Sequence, residues 1–145
     1  MMPILLYYNQ NRHTSLSDIE RWRQRFNEAA RYHGDECVGL AIGVRAVDIV
    51  LRELGDSDDG QRNLEMTLGT KSCLGDAFEF LLGLERGQVE YLKQRTDTIL
   101  AKNGSDAVTL QLTPKKITAV ADVFSKSEED LFPMIRRVKV DENKH

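Results

Sequence analysis

Two short stretches carry side chains that could bind a metal ion or move a proton. In the first, His33, Asp35 and Cys37 lie within five positions of one another, just before a long apolar segment. In the second, Cys73 precedes another helix-like run and Asp76 follows closely. Each cysteine is therefore predicted at the start of a helix, where unpaired N–H groups and a partial positive charge favour thiolate over thiol. We interpret the two stretches as halves of one site.

Two cysteines and one histidine suit zinc or a similar transition metal with one coordination position left open. We therefore expect His33, Cys37 and Cys73 to be metal ligands, with the two sulfurs close enough to share an ion. Asp35 and Asp76 could be further ligands, partners that orient a ligand, or proton carriers. The ordinary alternatives are an inert buried cysteine and an aspartate that only caps a helix. A pure thiol-redox role is less favoured, because the two cysteines are far apart in sequence.

Hydrophobic spacing predicts the elements that must position these groups. The first helix has a capping-box signal at Ser17–Glu20 and is ended by Gly34. Asn103–Gly104 between two apolar segments is a strong hairpin signal. The predicted helices cover about 18–31, the segment from the Asp35 cap to Leu54, 73–82 and 117–124, with another beginning at Ser127; the predicted strands cover about 64–68, 98–101 and 107–112.

The second predicted helix is apolar on nearly all sides, which indicates a central buried element. Gly39 and Gly43 share one face of it, and this spacing favours close packing of another backbone. Arg45 is the one cation within the apolar part of the helix. It must reach solvent, pair with Asp48, or face the site and take part in it as a ligand or a ligand's partner.

Composition excludes several classes of function. The chain has 145 residues, 41 % hydrophobic and 30 % charged residues and a net charge of −3, as in a globular domain without broad attraction to nucleic acid or anionic membranes. Arg21, Arg23 and Arg25 on the first helix do not share one face, so we interpret them as a solvated surface. The uncharged apolar run 38–44 is far shorter than the roughly 20 residues of a membrane helix.

The first eight residues lack the basic start and cleavage site of a signal peptide, so we expect a cytoplasmic protein with reduced thiols. The apolar run Ile4–Tyr8 is a candidate contact between two copies of the chain. No linker or repeat divides the sequence. We therefore expect a single domain over 1–145, with a core at about 15–125 and a C-terminal helical segment at 126–140.

The residues of both stretches resemble the motifs of a known family. His33–Ala46 is similar to the His-Gly-His-x-Cys-Pro-Gly…Gly-x-Arg-Ala motif of the FmdE-like family, which is named after a component of formylmethanofuran dehydrogenase, and Cys73–Ala77 is similar to its Cys-x-x-Asp-Ala stretch. The resemblance implies an α+β domain, a central buried helix on a mainly antiparallel sheet, and often a homodimer. It also implies a metal pocket built from His33, Cys37 and Cys73.

The chain departs from the family pattern at several positions. Asp35 stands where the family has its second histidine, Val38 replaces the proline, and Gly83–Leu84 stands where the family commonly has Thr-Gly-Cys. If position 35 is a ligand, the carboxylate should favour a harder cation or weaken zinc binding. We expect Asp35→Asn to change metal affinity more than folding stability, because Asn retains a capping oxygen.

Two classes of function remain open. The first is a small metal-binding protein whose open coordination position binds a small-molecule ligand or polarises a water. The second is an interaction or assembly subunit in which the metal site has degenerated. The family resemblance allows an accessory subunit of an oxidoreductase complex, but the residues assign no reaction and no substrate.

Overall fold

A computed structural model describes residues 16–34, 37–54, 64–69, 73–93 and 96–139. The predicted dimer contact at Ile4–Tyr8 and the residue Asp35 lie outside these ranges. Within them the helices are α1 (Leu16–His33), α2 (Val38–Leu54), α3 (Cys73–Leu82), α4 (Val120–Ser125) and α5 (Glu128–Leu131). The strands are β1 (Leu64–Leu68), β2 (Val89–Tyr91), β3 (Thr98–Asn103), β4 (Asp106–Gln111) and β5 (Met134–Lys139), and a 3-10 turn at Arg86–Gln88 precedes β2.

The first helix buries one face. Trp22, Phe26, Ala29 and Ala30 recur at helical spacing and are all buried. Gly34 ends the helix with a φ of +92°, and its N–H donates to the carbonyl of Ala30 at 2.7 Å. Because only glycine adopts such a φ without strain, this residue fixes where the chain leaves α1. His33 is consequently held as the last residue of the helix.

The second helix is the central buried element, as predicted. Nine of its residues are buried, and most are aliphatic. It contacts α1, α3 and α4 on its sides and strands β3 and β4 of the sheet. Burial on several sides explains why its sequence lacks a clear polar face. The helix therefore forms the middle layer that positions its neighbours.

The sheet has the order β2-β1-β3-β4-β5. The β1–β2 pair is parallel and the other three pairs are antiparallel. The β3–β4 hairpin is confirmed, with Asn103 paired to Asp106 and a φ of +65° at Gly104. Because α3 connects β1 to the parallel β2, the start of α3 lies outside the carboxyl end of β1. The chain is therefore an α+β fold with a mainly antiparallel sheet.

The sequence predicts a helical C-terminal segment at 126–140, and this prediction is wrong for its second half. Ser127 caps α5, accepting from the N–H of Asp130 at 3.2 Å, but Met134–Lys139 then forms edge strand β5. Most side chains of β5 are exposed, so the strand lacks the alternating pattern that would have predicted it. Its pairing with β4 stabilises it instead.

None of the helices in the described ranges combines the length and the apolar character that crossing a membrane requires.

Candidate metal centre

The three predicted ligands come from the ends of three helices. His33 is the last residue of α1, Cys37 immediately precedes α2, and Cys73 is the first residue of α3. One ligand atom from each side chain lies within 4.8 Å of the other two, so this group could hold a metal ion. The predicted approach of Cys37 and Cys73 is therefore found. All three residues are half-buried, which leaves the group accessible from solvent.

The imidazole of His33 has a different partner on each ring nitrogen. Its Nδ1 hydrogen-bonds the carboxylate of Asp76, and its Nε2 lies 3.9 Å from Sγ of Cys37. A carboxylate can only accept, so in the neutral ring the proton resides on Nδ1 and the lone pair on Nε2. Asp76 therefore orients the imidazole with its lone pair towards the cysteines, as carboxylates do for histidine ligands of metals.

Close packing of α2 on α3 brings the two cysteines together. A Cβ added to Gly43 would lie 2.6 Å from Cβ of Ala77, and one added to Gly39 would lie 3.3 Å from Cβ of Cys73. The first distance is shorter than real carbon contacts allow, so α2 can approach α3 this closely only because residue 43 is glycine. The predicted role of the two glycines as a packing face is confirmed.

The sequence-based expectation of two low-pKa thiolates is wrong for Cys73. Burial is the main cause, and together with a hydrogen bond to Cys37 and the charge of Cys37 it raises the pKa of the Cys73 thiol to about 11. A backbone hydrogen bond at the start of α3 lowers the pKa of Cys73, but it does not overcome these effects. Two anionic sulfurs side by side repel each other, so a bound cation is the natural partner of the deprotonated pair.

Tyr91, on β2, packs against the first turn of α3 and helps to fix its position. No sequence pattern indicates this contact. The hydroxyl of Tyr91, from β2, donates to Oε2 of Glu79 at 3.1 Å. Its ring lies so close to Gly75 that an added Cβ would be 2.1 Å from the hydroxyl oxygen. Burial raises the pKa of Tyr91, so this hydroxyl stays protonated as a donor at neutral pH. Strand β2 has only three residues and carries no strand signal of its own, so this contact could not be predicted.

Arg45 makes its contacts elsewhere, which corrects its proposed part in the site. The guanidinium donates to the carbonyls of Val123 at 2.7 Å and Lys126 at 2.9 Å, and lies 3.8 Å from the centre of the Trp22 ring. It is only 4 % exposed. Burial lowers the pKa of Arg45 to about 10, which still leaves the group charged at neutral pH. Arg45 therefore caps the end of α4 rather than contacting the three ligands.

Asp48 is bound by α1 instead of by Arg45. Arg21 and Arg25 each donate to its carboxylate at 2.6 Å, and the indole N–H of Trp22 donates to it as well. Arg21 is exposed, as expected of a solvated surface, but Arg21 and Arg25 share a helix face four residues apart and also form an ion-pair contact with α2. These contacts join α1 to α2 below the end that carries His33.

An exposed aromatic pair lies beside the three ligands. The rings of Tyr32 and Phe80 are 5.1 Å apart, and their side chains are 55 % and 37 % exposed. Phe80 is one helical turn beyond Asp76 on α3, and Tyr32 directly precedes His33 on α1. The Tyr32–Phe80 contact and the His33–Asp76 contact therefore join the same two helices, α1 and α3, side by side.

One comparison with known proteins covers the residues of this site. No curated protein matches the chain. A family model described as "FmdE, Molybdenum formylmethanofuran dehydrogenase operon" matches residues 32–144, a range that includes His33, Cys37, Cys73 and Asp76. Since the match covers most of the sequence, the chain belongs to the FmdE family.

Proposed function

We propose that this chain is a small metal-binding protein in which His33, Cys37 and Cys73 hold zinc or a similar transition metal. The observation that carries the proposal is the orientation of His33. Its Nδ1 is engaged by Asp76, which leaves Nε2 facing Cys37 Sγ at 3.9 Å. A histidine that merely filled space would not require a carboxylate on one nitrogen and a thiol opposite the other.

The donor atoms fit such a metal. Two sulfurs and one imidazole nitrogen are ligands that zinc and related ions prefer over magnesium or calcium. With three ligands from the protein, a tetrahedral ion keeps one position for a water or a small molecule, and it would supply Lewis acidity there. The half-buried positions of the ligand residues support access from solvent.

The chain's own residues would orient the ion and control its surroundings. Asp76 holds the imidazole in one tautomer and adds a negative charge outside the ligand shell. Gly39 and Gly43 keep α2 against α3, so that the sulfurs stay within reach of one ion. The ligand set thus depends on helix packing as much as on the ligands themselves.

Location and assembly form the finer part of the proposal. Both cysteines are free, which is consistent with a reducing cytoplasmic compartment. A homodimer and an accessory role beside an oxidoreductase remain proposals that rest on the family resemblance. Light scattering at micromolar concentration checks the first: a dimer mass is expected, and a monomer mass would contradict it.

The second candidate is an interaction subunit with a degenerate metal site. The exposed aromatic pair Tyr32–Phe80 favours this alternative, because large exposed apolar side chains are typical of contact surfaces. Under it, Tyr32→Ala would abolish partner binding while the metal content stayed at background in every variant.

Metal analysis of protein purified without added metal tests the proposal. We expect about one zinc or similar ion per wild-type chain and a strongly reduced content in Cys37→Ala and Cys73→Ala. Val120→Ala, a change on α4, is the control for a general effect of truncation. Wild-type protein that neither contains metal nor takes up added zinc would refute the proposal.

A further inference from the structure

Cys37 and Cys73 are distant in sequence and adjacent in space. Their Sγ atoms lie within 4.8 Å of each other. Both are free thiols with part of their surface exposed to solvent. Thiol chemistry is less favoured by the sequence because no second cysteine is adjacent along the chain. The fold supplies that second sulfur.

We propose that Cys37 and Cys73 form a modification site, at which a peroxide creates a reversible disulfide between them. The bond removes both sulfur donors from the candidate metal centre, so the oxidised chain releases its metal. Bond formation needs the two thiols and the peroxide but no metal, whereas the effect on metal rests on the proposed function.

The geometry requires little movement. A disulfide has an S–S distance of about 2.05 Å, so the sulfurs must close by less than about 3 Å, shared between two side chains. The start of α2 also packs closely on Cys73, because a Cβ added to Gly39, two residues after Cys37, would lie 3.3 Å from Cβ of Cys73. Cys37 precedes α2 and Cys73 begins α3, so each side chain lies at the end of a helix rather than in its middle. Rotation of the two side chains can therefore bring the sulfurs together while the helices stay packed.

The reaction balances with a peroxide as the oxidant. One thiol loses its proton, and the resulting thiolate attacks hydrogen peroxide. The O–O bond breaks, the sulfur keeps one oxygen as a sulfenic acid, and the hydroxide that leaves takes up the proton to form one water. The second sulfur then attacks the sulfenic sulfur, the S–O bond breaks, and a second water leaves with the remaining thiol hydrogen. Two electrons pass from the sulfurs to the peroxide. Starting from two metal-bound thiolates, the same steps take up two protons from solvent.

Loss of both sulfurs would leave His33 as the remaining member of the three-residue group. A single imidazole does not hold zinc in place, since structural and catalytic zinc sites use three or four protein ligands. Reduction by a dithiol would restore both donors. Metal binding would then report the redox state of the protein's surroundings.

The first part of the test uses reduced, metal-free protein, so that its result does not depend on metal binding. Low micromolar wild-type protein is treated with one equivalent of hydrogen peroxide, and free thiols and intact mass are measured. We expect both thiols to disappear and the mass to fall by two hydrogen atoms, with full reversal by dithiothreitol. Wild-type protein that keeps both thiols, or gains oxygen on each cysteine without joining them, would overturn the proposal.

Cys37→Ser and Cys73→Ser are the matched controls, because each retains one thiol. Neither should show the loss of two hydrogen atoms, and neither should form a disulfide-linked species on non-reducing gels at this concentration. A loss of two hydrogens in either variant would show that the wild-type change arises elsewhere and would overturn the assignment.

The second part uses zinc-loaded wild-type protein with a chromogenic zinc chelator. We expect about one zinc released per disulfide formed, with release suppressed at least tenfold when catalase is added before the peroxide. Zinc retained after complete disulfide formation would contradict the proposed control of metal binding. Failure to load zinc at the outset would instead refute the proposed function, while the result in metal-free protein would stand.

Discussion

The carboxylate of Asp76 on α3 hydrogen-bonds Nδ1 of His33 at the end of α1. The two residues are 43 positions apart in sequence, and their side chains are only 18 % and 22 % exposed. Partial burial strengthens this contact relative to a fully exposed pair. The contact connects α3, which carries Cys73, to His33, which would be the third ligand of the metal ion.

Replacement of Asp76 by asparagine should weaken metal binding more than folding. Asn retains an acceptor for Nδ1–H but removes the negative charge, and changes of this kind typically cost 10–100-fold in metal affinity. We expect about a tenfold loss for Asp76→Asn in a zinc competition titration and a larger loss for Asp76→Ala. Asp97→Asn, at an exposed position, is the control for removal of a carboxylate. Equal zinc affinity in wild type and Asp76→Asn would contradict a role for this contact.

Replacement of Gly43 by alanine should disrupt the α2–α3 contact. The new Cβ would lie 2.6 Å from Cβ of Ala77 and 3.1 Å from the carbonyl oxygen of Leu74, so the helices must separate. Overpacking of this kind costs about 1–3 kcal/mol, against a gain of about 1 kcal/mol from helix propensity. Urea unfolding should therefore show net destabilisation.

Gly87→Ala is the matched control for that measurement, because an added Cβ there meets no atom within 4 Å. The two variants should differ in metal affinity as well, since only Gly43→Ala moves Cys73 away from Cys37. Unchanged stability and affinity in Gly43→Ala would show that the helix contact is looser than described.

Arg45→Met should destabilise the fold without affecting the metal site. The change leaves the carbonyls of Val123 and Lys126 without this donor and removes the stacked cation from Trp22, at a cost of about 2 kcal/mol in the free energy of unfolding. Zinc affinity at a temperature where both proteins are folded should agree within about twofold. Arg23→Met, an exposed change on α1, is the control. A large loss of zinc affinity in Arg45→Met would contradict this and show that Arg45 contributes to the metal site.

The ligand residues are predictable because their signals are local. The apolar runs that follow Cys37 and Cys73 indicate helix starts, and Gly34 places His33 at the end of the preceding helix. The same local reasoning predicts the hairpin at Gly104 and the cap at Ser127. Where one residue's neighbours decide its structure, a single sequence is informative.

Long-range partners are not predictable in this way. The acceptors of Arg45 lie about 80 positions further along the chain, in a helix end that no local signal links to α2. The raised pKa of Cys73 depends on burial and on Cys37, which come into play only after α2 and α3 pack. Strands β2 and β5 are stabilised by pairing with β1 and β4 rather than by their own patterns.

Asp106 should give the edge strand β5 a pH-dependent contribution to stability. Lys139, at 2.9 Å, lowers the pKa of the Asp106 carboxyl through a hydrogen bond and its charge, and Arg137 adds a smaller effect. A pKa that is lower in the folded state stabilises the fold above the unfolded value of about 3.9. That stabilisation is lost as pH falls through the folded pKa.

Urea midpoints of wild type and Asp106→Asn, measured from pH 7 down to pH 2, check this prediction. Wild type should be slightly more stable near neutral pH, and the difference should vanish at the acidic end. Glu65→Gln, another carboxylate removal on the sheet, is the control. A difference that grows as pH falls would have the wrong sign for this ion pair.

X-ray absorption at the zinc edge of the zinc-loaded protein tests the central claim most directly, because it reports the atoms bound to the metal. The proposed ligands predict two sulfurs at about 2.3 Å and nitrogen or oxygen at about 2.0–2.1 Å, with one sulfur lost in each of Cys37→Ser and Cys73→Ser. A first shell that contains only nitrogen and oxygen would contradict the assignment of both cysteines.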